Sequence, residues 1–183
     1  VTSRKFLRGP RGTGFLYVAS TMLDRLEPGV LDLHGARLEA ADRVVMRPDA
    51  RRFELWERSP ALVLGMGAAA SYAMEIGLDA IWERSALLAA KLRTALAAVP
   101  GVTVHDIGSA QGAIVTFVVA GCDAIDVKSM LREQAINVSV VMPSSAPFDS
   151  MERGLPALVR ASVHYFNTDR EIDRLVAAVA DQG

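Results

Sequence analysis

Apolar and polar residues alternate along one stretch near the end of the chain, residues 158–166. Every second residue from Val159 to Tyr165 is apolar, whereas Arg160, Ser162 and His164 lie between them. A period of two residues predicts a strand with one buried face and one polar face. Apolar and β-branched runs predict three further strands in this half of the chain, over residues 102–105, 113–119 and 137–141.

Helix signals separate and follow these strands. Asp123 or Asp126 can cap a helix with apolar residues at helical spacing. Thr168-Asp-Arg-Glu171 forms a capping box that opens a final one-sided helix. These elements predict a small α/β domain over residues 99–183, with at least one antiparallel strand pair and with helices on one face of the sheet.

Two longer helices precede this domain. Ser59-Pro60 supplies an N-cap and a proline at the first helical position, so the first helix is predicted to run to about Ile76, where Gly77 ends it. Asp79 is predicted to cap the second helix, and Pro100-Gly101 stops it. We therefore place the domain boundary between residues 98 and 99.

The first part of the chain is less regular. Residues 15–19 are aromatic and β-branched and predict a strand, and residues 22–26 predict a short helix that ends at Pro28-Gly29. Residues 30–54 show no firm period and are predicted to be mostly loop.

Composition and charge narrow the class of protein. The chain has 183 residues, of which 51% are hydrophobic, and its net charge is −1. These values are typical of a soluble globular protein and give no electrostatic case for nucleic acid or an anionic membrane. The longest weakly polar run, residues 61–74, is too short to span a bilayer. One cysteine, Cys122, fits a reducing compartment, and the three histidines lack metal-ligand spacing, so no metal site is predicted.

A lysine lies beside a glycine-rich turn at the start of the chain. Lys5 precedes Gly9, Pro10, Gly12 and Gly14, residues that permit or fix special backbone angles. A lysine that bonds an aldehyde needs a fixed and partly desolvated position, which such a turn can supply. Spacing alone leaves a second interpretation open, in which Lys5 is an ordinary surface lysine.

Arg160 is a second candidate, because it lies in the middle of a largely apolar strand. A buried guanidinium is costly unless it is paired, and it can hold a carboxylate through two parallel hydrogen bonds. The residues alone leave two partners open, a substrate carboxylate or a carboxylate of this chain. His164, four residues later, is predicted to be a packed or surface histidine.

Two segments resemble one enzyme family. The stretch from Arg4 to Val18, with its lysine and Gly-Pro-Arg-Gly-Thr-Gly turn, is similar to the cofactor-lysine segment of fold-type I pyridoxal-phosphate (PLP) enzymes of the class V aminotransferase, cysteine desulfurase and selenocysteine lyase group. The stretch from Val159 to Thr168 resembles the C-terminal Arg-x-Ser…Tyr/Phe-Asn-Thr signature of that family. The resemblance implies pyridoxal 5'-phosphate as cofactor and Lys5 as the catalytic residue that bonds it. It also implies that Arg160 binds the carboxylate of an amino-acid or keto-acid substrate.

A third segment, Arg52-Phe-Glu54, resembles a triplet that precedes a phosphate-binding threonine in desulfurases, where the threonine is supplied across a dimer interface. Here Trp56-Glu57-Arg58 stands where those relatives have Gly-Thr-Pro. The resemblance therefore points to Arg58 or Ser59, at the start of the following helix, as the phosphate contact. From the residues alone, Ser59 is also a plain helix cap, and the arginines of residues 37–52 are either a solvated surface or phosphate contacts.

The family's desulfurases carry a catalytic cysteine in a loop that corresponds to residues 142–148, and this loop has no cysteine here. Cys122 lies before the preceding helix and is predicted to be an inert packed residue. On this ground we expect an aminotransferase, lyase or epimerase acting on an amino acid, and not a Cys-dependent desulfurase. The alternative is a non-catalytic α/β module that binds a missing N-terminal half or another partner.

The resemblance also implies the architecture. Residues 1–98 would be the tail of the large PLP-binding domain with linking helices, and residues 99–183 the small α/β domain with a partly antiparallel sheet. Because the chain opens at Val1 inside the motif, we expect it to be the C-terminal half of a longer enzyme. The family implies a homodimer, and the composition a cytoplasmic location.

Overall fold

The structure of the protein is a computed structural model that describes residues 1–181. The chain divides into two compact units, Val1–Glu75 and Ile76–Gly183, and each is described by itself. This division groups the second long helix with the C-terminal sheet. The boundary between residues 98 and 99 stays a prediction for the domains of the complete protein.

The first unit begins with a closed loop and a short helix. Thr2 forms an isolated antiparallel bridge with Gly14, and a 3₁₀ helix follows over Ser20–Arg25. The strand predicted over residues 15–19 is wrong, because within the described chain these residues find no strand to pair with. Tyr17, in the middle of this stretch, is 82% exposed.

A β-hairpin occupies much of the predicted loop over residues 30–54. Strand β1 (Ala36–Ala40) pairs antiparallel with β2 (Arg43–Met46), and a 3₁₀ helix follows over Ala50–Phe53. The loop prediction is therefore wrong over these residues. The sequence of β1 alternates apolar and polar residues, with Ala36, Leu38 and Ala40 on one side and Arg37 and Glu39 on the other. Only its first residue is buried, so the alternation does not mark a face in a core.

Helix α1 (Pro60–Ile76) completes the first unit and confirms the predicted helix. None of its residues is buried. Within this unit, Ala36 is the one buried apolar residue among the described positions, and Ser3 and Arg52 are buried polar residues. The first unit therefore has little apolar core of its own.

Helix α2 (Leu78–Ala97) opens the second unit directly after Gly77. Asp79 does not cap it, contrary to the prediction; Gly77, with a φ of 96°, is the N-cap residue and Asp79 lies in the first turn. In residues 1–181 no single helix is long and apolar enough to cross a membrane, and α1 and α2 meet that test only when they are joined across their bent break.

The sheet of the second unit has four antiparallel strands, and the fold class is confirmed as mixed α/β. Its strands are β3 (Val102–Val104), β4 (Ile114–Val119), β5 (Ser139–Val141) and β6 (Leu158–Ser162), in the spatial order β3-β4-β6-β5. Strand β6 is shorter than the predicted 158–166. The Asn167 side chain accepts a hydrogen bond from the His164 N–H at 2.8 Å and closes a turn just beyond the strand.

Three helices follow the strands. Asp123 caps α3 (Ala124–Glu133), where its carboxylate accepts from the Ile125 N–H at 2.7 Å. A short helix that the sequence did not predict, α4 (Pro147–Arg153), lies in the long connection before β6. The predicted capping box of Thr168 and Glu171 is confirmed at the start of α5 (Asp169–Ala180).

The main core lies between the sheet and the helices of the second unit. Alternate residues of β4 and β6 point into it, as the period of two predicted. Fully buried residues come from α2, α3, α5 and both central strands. They include Leu88, Leu92, Leu96, Val115, Phe117, Leu131, Val159 and Val179. The opposite face of the sheet carries Arg160, so this core supports the strand from which that side chain projects.

Candidate cofactor and carboxylate sites

Lys5 lies in the closed loop of residues 2–14, and Ser3 holds that loop together. The Ser3 side chain is fully buried; its hydroxyl donates to the Pro10 carbonyl at 2.7 Å and also hydrogen-bonds to the Thr13 hydroxyl. The Ser3 N–H donates to the Thr13 carbonyl at 3.1 Å, and the Gly9 N–H donates to the Ser3 carbonyl at 2.8 Å. The backbone on both sides of Lys5 is therefore fixed.

Close backbone approach requires glycine in this loop. A Cβ on Gly14 would collide with the carbonyl oxygen of Val1. Arg8 takes a left-handed conformation, with φ of 57°, and its N–H donates to the Lys5 carbonyl at 2.9 Å. The Lys5 side chain itself is exposed, so a rigid turn presents an accessible amine.

Arg58 and Ser59, the two predicted phosphate contacts, line one cleft of the first unit. The cleft has a volume of ≈ 670 Å³, and residues at the end of the Lys5 loop form part of its wall, namely Gly12, Thr13 and Gly14. Lys5 itself does not line this cleft. The structure thus brings Arg58 and Ser59 together with the loop that carries Lys5, but not with the Lys5 side chain.

Glu54 already pairs with Arg58 in this cleft. Its Oε2 lies 3.1 Å from Arg58 Nη1 and 2.9 Å from His34 Nε2. The hydrogen bond from His34, followed by the charges of Arg58 and Arg51, lowers the pKa of Glu54 below its ordinary range. A phosphate in the cleft would therefore compete with Glu54 for Arg58.

Ser59 precedes α1 as a weak cap, since its hydroxyl accepts from the Leu62 N–H at 3.5 Å.

Asp32 holds the segment that precedes Ser59. The Asp32 carboxylate accepts from the Trp56 N–H at 2.6 Å and from the His34 N–H at 2.8 Å. These backbone hydrogen bonds, that of Trp56 first, lower the pKa of Asp32 and keep it ionised. The segment that carries Arg58 and Ser59 is therefore anchored at its middle.

Arg52 corrects one interpretation of the arginines. The sequence left them as a solvated surface or phosphate contacts, but Arg52 is only 7% exposed. Its Nε donates to the Arg47 carbonyl at 2.8 Å and its Nη1 to the Leu23 carbonyl at 2.9 Å. Arg52 therefore holds the backbone of the first unit together.

Arg160 lies on β6, opposite Thr116 of β4 and Ser139 of β5. Its Nη2 donates to the Ser139 hydroxyl at 3.2 Å. Its Nε is buried and has no hydrogen-bond partner in the part of the chain that the structure describes. An unpaired buried donor costs about 1–3 kcal/mol. The geometry therefore favours an acceptor from outside these residues over an internal ion pair.

A polar cluster beside Arg160 was missed from the sequence. Arg93 of α2 forms a partly buried ion pair with Asp106, with Nε and Oδ2 2.6 Å apart. The other oxygen of Asp106 accepts from the Thr116 N–H at 2.9 Å and from the Thr116 hydroxyl at 2.6 Å. The only sequence signal for this cluster is a carboxylate placed just after a predicted strand.

Cys122 is exposed, so its interpretation as a packed residue is wrong. It follows the end of β4 and directly precedes Asp123, the N-cap of α3. The loop that corresponds to the desulfurase cysteine loop starts with a 3₁₀ turn over Pro143–Ser145 and presents Phe148, which is 88% exposed.

The residues present fit a phosphate-bearing aldehyde such as PLP. The chain offers an exposed amine on a fixed loop, and a cation and a hydroxyl at the start of a helix in a cleft of the same unit. The unpartnered Nε of Arg160 fits a carboxylate ligand.

The sequence profile of the aminotransferase class-V family matches residues 1–175. The chain belongs to this family. The predicted family is therefore confirmed, and so is the dependence of this family on PLP. A match that starts at the first residue includes both the Lys5 loop and the Arg160 strand of the chain.

Curated and solved proteins that match most of the chain include cysteine desulfurases. A cysteine desulfurase of Salmonella agona (strain SL483) is 31% identical over 176 residues, and the match covers 94% of this chain and 42% of that protein. The solved cysteine desulfurase CsdA of Escherichia coli, in its S-sulfonic acid form, is 26% identical with a TM-score of 0.82, and the match covers 96% of this chain and 44% of that one.

The fold is also that of an apo cysteine desulfurase from Thermococcus onnurineus NA1. The two structures agree with a TM-score of 0.86 at 23% identity, over 99% of this chain and 45% of the other. This agreement confirms the predicted fold, the C-terminal part of a fold-type I PLP enzyme. The chain spans less than half the length of the relatives it matches.

These relatives correct the predicted activity. The exclusion of a Cys-dependent desulfurase is wrong, since a curated relative at 31% identity and a solved structure at 26% identity, which match 94% and 96% of the chain, are cysteine desulfurases. The inference failed because it used one loop. The absence of cysteine from residues 142–148 removes a thiol from that loop, but the chain keeps the Lys5 amine and the Arg160 guanidinium.

Proposed function

We propose that the complete protein containing this chain is a PLP-dependent enzyme of the cysteine desulfurase type. In this proposal Lys5 bonds the cofactor, Arg58 and Ser59 contact its phosphate, and Arg160 anchors the substrate carboxylate. Bound PLP would supply an electron sink that stabilises negative charge on the α-carbon of the amino acid. The curated relative at 31% identity supports the reaction type.

The observation that carries the proposal is the buried, unpartnered Nε of Arg160. An amino-acid substrate brings a carboxylate, and a guanidinium can donate two parallel hydrogen bonds to it. Ser139 already receives one Nη of this guanidinium, which fixes its orientation. Arg160 would thus bind and orient the substrate, whereas the exposed amine of Lys5 would hold the cofactor and move protons.

Desulfuration is tested by its products. Cleavage of the C–S bond of L-cysteine leaves alanine, because the carbon gains a proton, while the sulfur passes to an acceptor thiol. With dithiothreitol as acceptor and reductant, each alanine should be matched by one sulfide and one oxidised dithiothreitol. Alanine formed in step with sulfide supports the proposal, whereas pyruvate and ammonia in place of alanine would contradict it.

The cofactor lysine is tested by absorbance of the purified complete protein. Wild-type protein should be yellow, with a band that borohydride removes, and Lys5→Ala should lack this band after incubation with PLP. Lys128→Ala is the matched control, since Lys128 lies on α3 in the second unit, and it should keep the band. A colourless wild-type protein that stays colourless with added PLP would overturn the assignment.

We also propose that the complete protein forms a homodimer in the cytoplasm and that residues 99–183 form its small domain. Helix α1 supports association, because none of its residues is buried and Leu64 and Met74 are 75% and 72% exposed. An exposed single thiol, Cys122, supports a reducing compartment. A monomeric mass for the complete protein in light scattering would contradict the dimer.

A further inference from the structure

The cluster of Arg93, Asp106 and Thr116 lies next to Arg160, the proposed carboxylate anchor, because Thr116 pairs with Arg160 across strands β4 and β6. The backbone hydrogen bonds of Thr116 identify the type of this pair. The Thr116 carbonyl accepts from the His105 N–H at 2.9 Å, and the Thr116 N–H donates to Asp106 at 2.9 Å. Both backbone groups therefore face the β3 side of the strand. In the ladder between β4 and β6, Thr116 and Arg160 then form a non-hydrogen-bonded pair. Side chains approach most closely in such pairs, with Cβ atoms about 4.5–5.5 Å apart.

Thr116 is therefore the residue of β4 that lies directly opposite Arg160 across the ladder. Its hydroxyl points to the β3 side of the strand, where it donates to Asp106 at 2.6 Å. Rotation of Thr116 about χ1 to another staggered position would swing this oxygen toward β6. A hydroxyl can accept as well as donate, so the rotated side chain could take the hydrogen bond of the Arg160 Nε.

Asp106 is itself held in place from the helix side. The Arg93 Nε lies 2.6 Å from Asp106 Oδ2, and the two side chains are only 13% and 9% exposed. The Arg93 Nη2 also donates to the carbonyls of Gly112 and Ile114, at 2.6 and 2.8 Å. Asp106 is thus a fixed acceptor for the Thr116 hydroxyl.

We propose that Asp106 is a positioning residue that holds the Thr116 hydroxyl away from Arg160 and so leaves the Arg160 Nε free to bind a carboxylate. This inference rests on the proposed function of Arg160. Asp106 does not touch the substrate in this scheme. It acts through Thr116, and its effect is on carboxylate affinity rather than on the bond-breaking step.

Removing the acceptor should release Thr116. In the complete protein, Asp106→Ala should raise KM for L-cysteine about tenfold, the factor for one lost charge-assisted hydrogen bond, and should leave kcat within about twofold. The double variant Asp106→Ala/Thr116→Val should bring KM back to the value of Thr116→Val alone. The single and the double variant both leave Arg93 without its carboxylate partner. A difference in KM between them therefore isolates the effect of the Thr116 hydroxyl.

Asp106→Asn gives a second test that keeps the volume of the side chain. Its amide oxygen should stay with Thr116, which offers two donors, and its NH₂ should face Arg93, which retains two backbone carbonyls. This variant should therefore lose thermal stability and keep the wild-type KM. A raised KM in Asp106→Asn, in proportion to its loss of stability, would show a merely structural role.

A readout without turnover comes from the Arg160 Nε–H signal in ¹⁵N NMR spectra of the 183-residue chain. This signal should shift and gain protection from solvent exchange in Asp106→Ala, and return in the double variant. An unchanged signal in Asp106→Ala, with KM raised equally in the single and double variants, would overturn the inference.

The two proposals fail in different ways. If the NMR signal responds as expected but KM is unchanged in every variant, including Arg160→Ala, Arg160 is not the carboxylate anchor. That result would overturn the proposed role of Arg160 and still support the hold of Asp106 on Thr116.

Discussion

Arg160 illustrates why the role of a single residue depends on its neighbours. Its sequence context, a charge inside an apolar strand, identified it as a candidate but left its partner open. The structure gives one Nη a hydroxyl acceptor and leaves the buried Nε without one in the described chain. Desolvation of that donor is a cost that folding does not recover by itself. A carboxylate ligand would recover it.

Arg160→Ala should keep the absorbance band of bound PLP and weaken carboxylate substrates by about 2–5 kcal/mol, the range for truncating one partner of a buried charge pair. The measurement is KM for L-cysteine together with the spectrum of the complete protein. Arg160→Lys is the matched control. It keeps the charge but loses the paired donors, so it should restore only part of the affinity. Unchanged affinity in Arg160→Ala would remove the carboxylate assignment.

Some residues of the two sites could not be found from sequence. Lys5 stands out because its segment resembles the cofactor-lysine segment of a known family, and Arg160 stands out because it is a charged residue in a largely apolar strand. Ser3 and Asp106 do not, since a serine in a turn and an aspartate after a strand are common on protein surfaces. Their roles depend on Thr13 and Thr116, which reach them only in the folded chain.

At the scale of elements, prediction succeeded where local signals agree. Helices α1, α3 and α5 have caps or breakers at their starts, and the strands of the second unit have strong β-branched runs. The β1–β2 hairpin was missed, and the strand over residues 15–19 was wrong, for one reason. A strand exists only where it has a partner, and pairing is a property of the fold and not of the segment.

Thr168→Ala should lower the free energy of unfolding of the second unit by about 1 kcal/mol, because it removes the N-cap of α5. The Thr168 hydroxyl accepts from the Glu171 N–H at 3.3 Å, and the Glu171 carboxylate accepts from the Thr168 N–H at 2.7 Å. Urea denaturation followed by circular dichroism measures the change. Thr168→Ser keeps the hydroxyl and should lose much less, and an equal loss in both variants would argue against the cap.

Arg84 and Lys91 of α2 form ion pairs with Asp169 at the start of α5, and these pairs should weaken in acid. The hydrogen bond from Arg84, followed by Lys91, lowers the pKa of Asp169 below its ordinary value of 3.8. Because the pKa of Asp169 is lower in the folded state than in the unfolded state, the ionised carboxylate stabilises the fold at pH values above the unfolded-state pKa. This stabilisation is lost as the pH falls through the folded-state pKa. Asp169→Asn should therefore reduce the loss of stability below about pH 4. Urea midpoints measured from neutral to acid pH test this, and parallel curves for both proteins would contradict it.

At the scale of the whole molecule, the buried apolar residues are unevenly distributed. The second unit contains the core between its sheet and helices, whereas the first unit buries only Ala36 among its described apolar residues. Local stability follows buried apolar contacts, so the two units should open with different free energies.

Hydrogen exchange of the 183-residue chain tests this difference. Amides of the paired strands β4 and β6 should exchange at least about a hundredfold more slowly than those of the paired strands β1 and β2. Both pairs are antiparallel ladders, so the hairpin is a control for hydrogen bonding without burial. Equal protection of the two ladders would show that the first unit is stabilised by something other than its own core.

The fold class and the family could be predicted for the whole molecule because they depend on patterns that extend along the chain. The activity could not, since it was inferred from the absence of one residue type in one loop. Arg52 shows the same limit. Arg51 and Glu54, close to it in sequence, are charged and suggest a surface, yet its guanidinium is buried against two carbonyls.

The four-stranded sheet has short borders. Its outer strands, β3 and β5, have three residues each, and the longer strands lie between them. An edge strand of three residues offers few unpaired N–H and C=O groups with which another chain could pair. Short edges therefore disfavour fibril growth from this sheet, and they favour recognition of the second unit through its side chains rather than through strand addition.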